Sequence, residues 1–351
     1  MIFTLVQLSA CTKTEKEETS VTSIRETENT EITEAKRTDL LGTVITLSTY
    51  DDIAPELFDE TFSLVETIDA KMSVNIENSE ISQVNNNSGI APTVVSPEVR
   101  DLVSWASDFS RVSNGAFDVT IGSVMELWKV DGTFEVLPVD AEIQKNLPLV
   151  NNDEITFYDD SILLNKPGMR LDLGGIAKGY ACDMSLTYMK MKGVHSALLN
   201  FGGNVYAYGT KPDGSPWRIG IQTPYIKKDT IACSIDVSNT AVVTSGGYKR
   251  YFEKDNVTYH HILDPNTGYP AESGLLSVTI IDPSSTRADA LSTACFVMGL
   301  EQGYRFLEAM PESDGIFITT NNQVYFTKGL LGKVTLIDSE FSLAEFEPLA
   351  Q

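Results

Sequence analysis

Apolar positions recur with two distinct periods along most of this chain, and the alternation between them outlines the fold. In residues 55–72, Phe58, Phe62, Val65, Ile68 and Met72 return every three or four positions, which predicts an amphipathic helix. Ser96-Pro97 supplies an N-cap and a first-turn proline to a second helix, whose apolar stripe is Val99, Leu102, Val103, Ala106 and Phe109. A long helix is predicted from about Gly175 to Lys192, and further helices over 286–310. Strands are predicted at 41–50, 196–208, 217–222, 231–237, 241–245, 258–263 and 275–281, with hairpins around Asp159-Asp160-Ser161 and Asn321-Asn322. Antiparallel-type stretches mixed with isolated helices indicate an α+β fold of mixed or antiparallel sheets with packed helices, not a βαβ repeat. No short repeat and no linker interrupts 39–351, so this span is expected to form one unit of two interleaved lobes.

The first 38 residues break the pattern. Residues 1–11 end in Leu8-Ser9-Ala10-Cys11, which resembles a bacterial lipoprotein cleavage box with Cys11 as the lipidated residue of the mature chain. The segment lacks a positive start and is shorter than the usual apolar run of ~7–15 residues, so it is read as a lipoprotein-type signal that a truncation would explain. Residues 12–38 are rich in Thr, Glu and Lys and read as a disordered, solvated tether. No other segment approaches the length of a transmembrane helix.

Composition narrows the function. Of 351 residues, 49 are acidic and 26 basic, a net charge of -23 that excludes a nucleic-acid binder, which needs a cationic face. An acidic protein holding a phosphorylated ligand needs a bound cation or well-aimed backbone N–H groups. Cys11, Cys182, Cys233 and Cys295 show no metal-ligand spacing, and the last three read as buried apolar residues. With only His195, His260 and His261, a multi-histidine metal site is excluded.

Four segments carry candidate chemistry. In Asp172-Leu173-Gly174-Gly175-Ile176-Ala177-Lys178 a glycine pair opens a helix, so backbone N–H groups can approach an anion and Lys178 can reach a phosphate. Alone, it reads equally as a tight turn with a surface lysine. Asp289 and Thr293 lie four apart and share one helix face, a plausible hard-cation site, or else a helix-start charge and a core hydroxyl. His260-His261-Ile262-Leu263-Asp264-Pro265 places His261 at a strand end before a turn, where its imidazole can meet substrate or simply face solvent. Asn114-Gly115-Ala116-Phe117-Asp118 reads as a turn into a strand, offering an aromatic face and a carboxylate, or an ordinary turn with a core Phe. Asn200-Phe201-Gly202-Gly203-Asn204 and Thr244-Ser245-Gly246-Gly247-Tyr248 add two more points of close backbone approach.

Taken in order, LGTVITL (41–47), KMSVNIENSEISQVN (71–85), GAFDVTIG (115–122), DLGGIAKGYACD (172–183), NFGGNVYAYG (200–209), TSGGYKRYF (244–252), HHILDPNTGYP (260–270) and ADALSTA (288–294) resemble the ApbE family of FAD:protein FMN transferases. The resemblance covers residues 40–335 and implies a Mg²⁺-dependent enzyme that splits FAD and attaches FMN to Ser or Thr of an acceptor redox protein, releasing AMP. It implies Mg²⁺ ligands at Asp289, Thr293 and the Gly175 carbonyl, with Ser292 close by. It implies an FAD pocket of Leu41, Asn75, Ala116, Phe117, Asp118, Asp172, Lys178 and Ile262, with His261 as the base and Asp289 as a second, poorer one. It also places the lipid-anchored protein on the periplasmic face of a bacterial inner membrane.

Two positions depart from the family pattern. Leu41 stands where many relatives carry Met, and Asn75 where many place an aromatic residue that stacks on the dinucleotide. Some treponemal relatives with Asn there resemble FAD pyrophosphatases, so hydrolysis of FAD to FMN and AMP is the alternative activity. A non-catalytic flavin-binding lipoprotein is a second alternative, which needs the pocket but not the Asp289/Thr293 face. A surface lipoprotein without a ligand would leave the glycine and metal motifs unexplained.

Overall fold

The structure is a computed structural model that describes residues 20–26, 30–129, 137–225, 228, 230–255 and 257–346. The chain begins with strands β1 (Ser20–Glu26), β2 (Thr30–Leu40) and β3 (Thr43–Thr49), then helices α1 (Glu56–Met72) and α2 (Glu80–Asn86). A short β4 (Thr93–Val94) precedes α3 (Pro97–Val112), α4 (Gly122–Trp128) and α5 (Asp140–Asn146). The hairpin β5 (Ile155–Phe157) and β6 (Ser161–Leu164) leads into α6 (Ala177–Met191). Strands β7 (Ala197–Phe201), β8 (Asn204–Tyr208), β9 (Trp217–Gln222), β10 (Ile231–Val237), β11 (Thr240–Gly246), β12 (Tyr251–Lys254), β13 (Val257–His260) and β14 (Leu275–Asp282) follow. Helix α7 (Ser285–Glu308), β15 (Asp314–Thr319), β16 (Gln323–Phe326), β17 (Val334–Leu336) and β18 (Ser342–Leu343) complete the chain.

Ten strands form the main sheet in the order β1-β2-β3-β7-β8-β11-β14-β15-β16-β18, antiparallel throughout except for β16 with β18. Neighbouring residues point to opposite faces of this sheet, and both faces of its centre are covered. Val243, Ile280 and Phe317 enter the main core with Phe58, Phe62 and Leu291, whereas Val242, Ile281 and Ile316 pack on Trp217, Ile219 and Ile235 of a second sheet, β17-β10-β9. That double burial leaves β14, LLSVTIID, buried at every position but Leu276, including Ser277, Thr279 and Asp282. Phe58, Phe62, Val65, Ile68 and Met72 of α1 are all buried, as their spacing predicts. Each fully buried Phe stabilises the fold by ~1.5–3 kcal/mol. Cys182, Cys233 and Cys295 are buried free thiols. Among the described residues no helix is long and apolar enough to cross a membrane.

Several expectations change. Residues 30–38, assigned to the tether, belong to β2, which pairs residue by residue with β3 from Thr33↔Thr49 to Arg37↔Ile45. Residues 20–26 form β1 on its outer edge. A Thr-rich strand needs little apolar surface when a neighbour's edge offers a full hydrogen-bond ladder, and here Ala35 and Leu40 are the buried side chains among the described residues of β2. Arg37 fastens β2 further, pairing with Asp39 and with Glu66 of α1. Cys11, with the rest of 1–19, lies outside the described residues. The strand expected after Asn114-Gly115 reduces to one bridge, Ile121↔Arg170, before α4 begins. The predicted strand over 196–208 folds back at Gly202-Gly203, whose φ values of 66 and 105° are glycine territory. Helices α2, α4 and α5 have seven residues each, too short for a periodic signal.

Candidate active site

Loops from both halves of the chain converge on one cleft of about 840 Å³, large for a small-molecule site, which commonly spans ~300–1,000 Å³. One rim is the β2–β3 turn, where Leu41 and Gly42 both adopt left-handed φ, 52 and 62°. A two-residue hairpin of this hand needs two positive φ values, and a Leu there is strained backbone beside a cleft. Asp69, raised by burial above the ordinary carboxylate range, accepts the Leu41 N–H at 3.1 Å and holds the turn. Asn75 projects from the segment after α1 with an exposed side chain.

The floor comes from the 113–122 turn and the start of α6. Ser113 Oγ accepts the Phe117 N–H at 3.2 Å, and Asp118 accepts from the Thr120 N–H and hydroxyl at 2.8 and 2.6 Å. These three bonds freeze the turn that presents Ala116, Phe117 and Asp118 to the cleft. Asp172 bends its own loop by accepting the Gly174 N–H at 2.7 Å, and burial raises its carboxyl above the usual range. A side chain at Gly175 would meet Phe117 at 3.1 Å and Thr293 Oγ1 at 3.4 Å, so the glycine permits the close approach.

Asp289, one turn into α7, is 3% exposed and meets α6 directly. It accepts the Gly179 N–H at 3.0 Å and faces Lys178 Nζ at 3.3 Å, while Lys178 also donates to the Gly174 carbonyl at 2.9 Å. The ordinary helical acceptor for Gly179 N–H would be the Gly175 carbonyl, which is therefore left without a donor among the described residues. An unspent carbonyl, a buried carboxylate and the Thr293 hydroxyl are all hard oxygen donors, so these residues fit Mg²⁺. No group of three His, Cys, Asp or Glu side chains gathers among the described residues. A cation here would complete its shell from water or phosphate oxygens, as Mg²⁺ commonly does. Ser292 does not reach the wall: it is fully buried, bonded to the Asp289 carbonyl at 2.9 Å and Ser245 Oγ at 2.7 Å. Its place at the cleft is taken by Ser245, 3.5 Å from Thr293 Oγ1.

His261 closes the opposite side next to Ile262. Its Nδ1 lies 3.1 Å from the Arg250 carbonyl, which can only accept, so Nδ1 carries the proton and Nε2 presents its lone pair. Burial pushes its pKa down to about 3 against the opposing bond to the Arg250 carbonyl, with the charges of Arg250, His260 and Lys178 adding to the lowering, so the ring is neutral near pH 7. His260 instead packs edge-on to Phe296 and bonds Ala271 and Ile262. The turn behind His261 is braced by Trp128, whose Nε1 donates to the Gly268 carbonyl at 2.8 Å.

The sequence reading missed Lys249 and Arg250. They line the cleft held by the carbonyls of Gly202 and Gly42, at 3.2 and 2.7 Å, with no carboxylate ion pair among the described residues. The signal was two adjacent cations in a strongly acidic chain, within a segment otherwise read as turn and strand.

Known proteins are similar to this chain in sequence and fold. The model of the ApbE family matches residues 41–317. The chain is 33% identical over 308 residues to an FAD:protein FMN transferase of Klebsiella pneumoniae, covering 87% of this chain and 95% of that one. It is 33% identical over 300 residues to one of Treponema pallidum, covering 81% and 83%. Among solved structures, the ApbE protein of Thermotoga maritima superposes with a TM-score of 0.78 at 31% identity, covering 90% of this chain and 99% of that one. The flavin transferase ApbE of Vibrio cholerae gives 0.74 at 27%, covering 90% and 100%.

Proposed function

The chain belongs to the ApbE family, and on that premise we propose that it is a Mg²⁺-dependent FAD:protein FMN transferase. The observation that carries the reading is the convergence on one cleft of the Asp289–Thr293 face, the free Gly175 carbonyl, Lys178 and a neutral His261. Asp289, Thr293 and the Gly175 carbonyl would hold Mg²⁺, which would supply charge neutralisation and polarisation at the pyrophosphate. Lys178 sets its ammonium against the same phosphates. Leu41, Ala116, Phe117, Asp118, Asp172 and Ile262 position the flavin nucleotide. His261 Nε2 takes the proton of an acceptor Ser or Thr hydroxyl as its oxygen bonds the FMN phosphorus, and the P–O bond to AMP breaks. Asp289, committed to the cation, is the poorer base. With FAD, Mg²⁺ and an acceptor redox protein, the acceptor gains the mass of an FMN phosphoester. Chelating the cation stops both labelling and AMP release, and added Mg²⁺ restores them; undiminished AMP release in chelator would remove the metal from the account.

A second reading rests on Asn75. Its exposed amide offers no aromatic face to the dinucleotide, which favours looser retention and water as a competing acceptor, so FAD hydrolysis to FMN and AMP accompanies transfer.

We also propose that Cys11 carries a lipid that anchors the protein to the periplasmic face of a bacterial inner membrane, because Leu8-Ser9-Ala10-Cys11 matches a lipoprotein box. Cys11→Ser then moves the protein from the membrane to the soluble fraction, and an unchanged membrane share contradicts the anchor.

A further inference from the structure

We propose that Asp183, which lies outside the cleft, is a positioning residue that sets the register of the cation-binding face. The inference rests on the proposed Mg²⁺ site. Asp183 sits on α6 four residues after Gly179, and its carboxylate caps the start of α7 from outside that helix. Oδ1 accepts the Ser285 N–H at 2.9 Å, and Oδ2 accepts the Ser284 hydroxyl, the Thr286 N–H and the Thr286 hydroxyl at 2.9, 2.9 and 2.7 Å. Asp289 sits on α7 four residues after Ser285, and it caps α6 in return by accepting the Gly179 N–H at 3.0 Å. Each helix thus has an early N–H satisfied by the other's carboxylate, where the helix dipole favours a negative charge.

Between the two caps the helices touch with no room to spare: a side chain at Gly179 would lie 2.2 Å from the Ser285 carbonyl. Sliding α7 by even a fraction of a turn would break both caps and the glycine contact together. Asp289 and Thr293 ride on α7, whereas Gly175 and Lys178 precede or open α6. The Asp183 cap therefore fixes the distance between the two halves of the cation-binding donor set without touching FAD or metal.

Asp183→Asn keeps the shape but turns an N–H₂ group toward one of the N–H donors, so at least one bond is lost. Outer groups that orient ligands commonly shift metal affinity by ~10–100-fold. The test follows Mn²⁺ binding by loss of its free-ion paramagnetic signal, alongside kcat and metal-free FAD binding by flavin fluorescence. Asp183→Asn is expected to weaken Mn²⁺ binding about tenfold or more and to lower kcat, while FAD affinity without metal stays at the wild-type value. A lowered Tm with wild-type Mn²⁺ affinity would reduce Asp183 to a structural cap and overturn the proposal. If Asp183→Asn does not fold, Thr286→Val, which removes one of the four bonds, decides in its place: weakened Mn²⁺ binding supports the proposal and wild-type binding overturns it. Wild-type protein that binds no Mn²⁺ fails the metal site itself, a distinguishable result.

Discussion

Asp289→Ala lowers AMP release from FAD by about a thousandfold, since it removes the only carboxylate of the proposed Mg²⁺ set from a phosphoryl-transfer site. Asp289 also has a structural duty, which the variant exposes. The Gly179 N–H loses its acceptor, a loss of ~1–3 kcal/mol for a buried donor. Lys178 keeps its bond to the Gly174 carbonyl, and its partly exposed ammonium can draw on water. Asp289→Asn separates the two duties. Its amide oxygen still accepts from Gly179, so the fold stays near wild type, yet the neutral group is a much weaker ligand and the rate remains depressed by ~10²-fold or more. Mass-spectrometric assay of AMP checks both, and a rate within a few-fold of wild type for Asp289→Ala would sink the site assignment.

His261→Ala slows transfer to an acceptor by ~10²–10⁴-fold, the usual contribution of a positioned general base. The pH profile of the wild type carries the sharper signature. The active form is the neutral ring, and its folded-state pKa is pushed from 6.5 down to about 3. The acid limb of kcat/KM for acceptor therefore lies well below pH 6, and activity falls little between pH 7 and 6. The same shift costs stability in acid. The unfolded chain takes up this proton first, so the fold loses stability as pH drops below about 6.5 and stops losing it, for this group, near 3. His261→Gln removes that loss, so its melting temperature falls less than the wild type's between pH 7 and 5. A kinetic limb near 6.5 that vanishes in His261→Gln would instead show an ordinary solvated imidazole.

The helices with three or more turns were legible because their apolar stripes repeat often enough to stand out, as in Phe58-Phe62-Val65. The strand β14 was legible from its β-branched, largely apolar run, although only the structure shows that a second sheet covers its far face. β2 was not legible, because a Thr- and Glu-rich segment owes its order to the ladder offered by β3 and to the Arg37–Glu66 pair with α1, both non-local. In the site, Asp289, Thr293, Gly175, Lys178 and His261 were each ambiguous locally, and their meaning came from order along the chain. The free Gly175 carbonyl could not be read at all, since it depends on Asp289 capturing an N–H from 110 residues away. Ser292 lies close by, bonded to the Asp289 carbonyl, but adjacency in sequence to Thr293 says nothing about which hydroxyl faces the cleft.

The most direct test of the central claim is the stoichiometry of the reaction in time. Purified protein, FAD and Mg²⁺ are followed by mass spectrometry with an acceptor redox protein present, counting AMP, free FMN and acceptor-bound FMN. The transferase predicts FMN appearing on an acceptor Ser or Thr in step with AMP, with a smaller pool of free FMN set by the Asn75 side of the cleft. AMP matched entirely by free FMN, with the acceptor unmodified, would make water the substrate and contradict transfer; FAD left intact would contradict catalysis at this cleft.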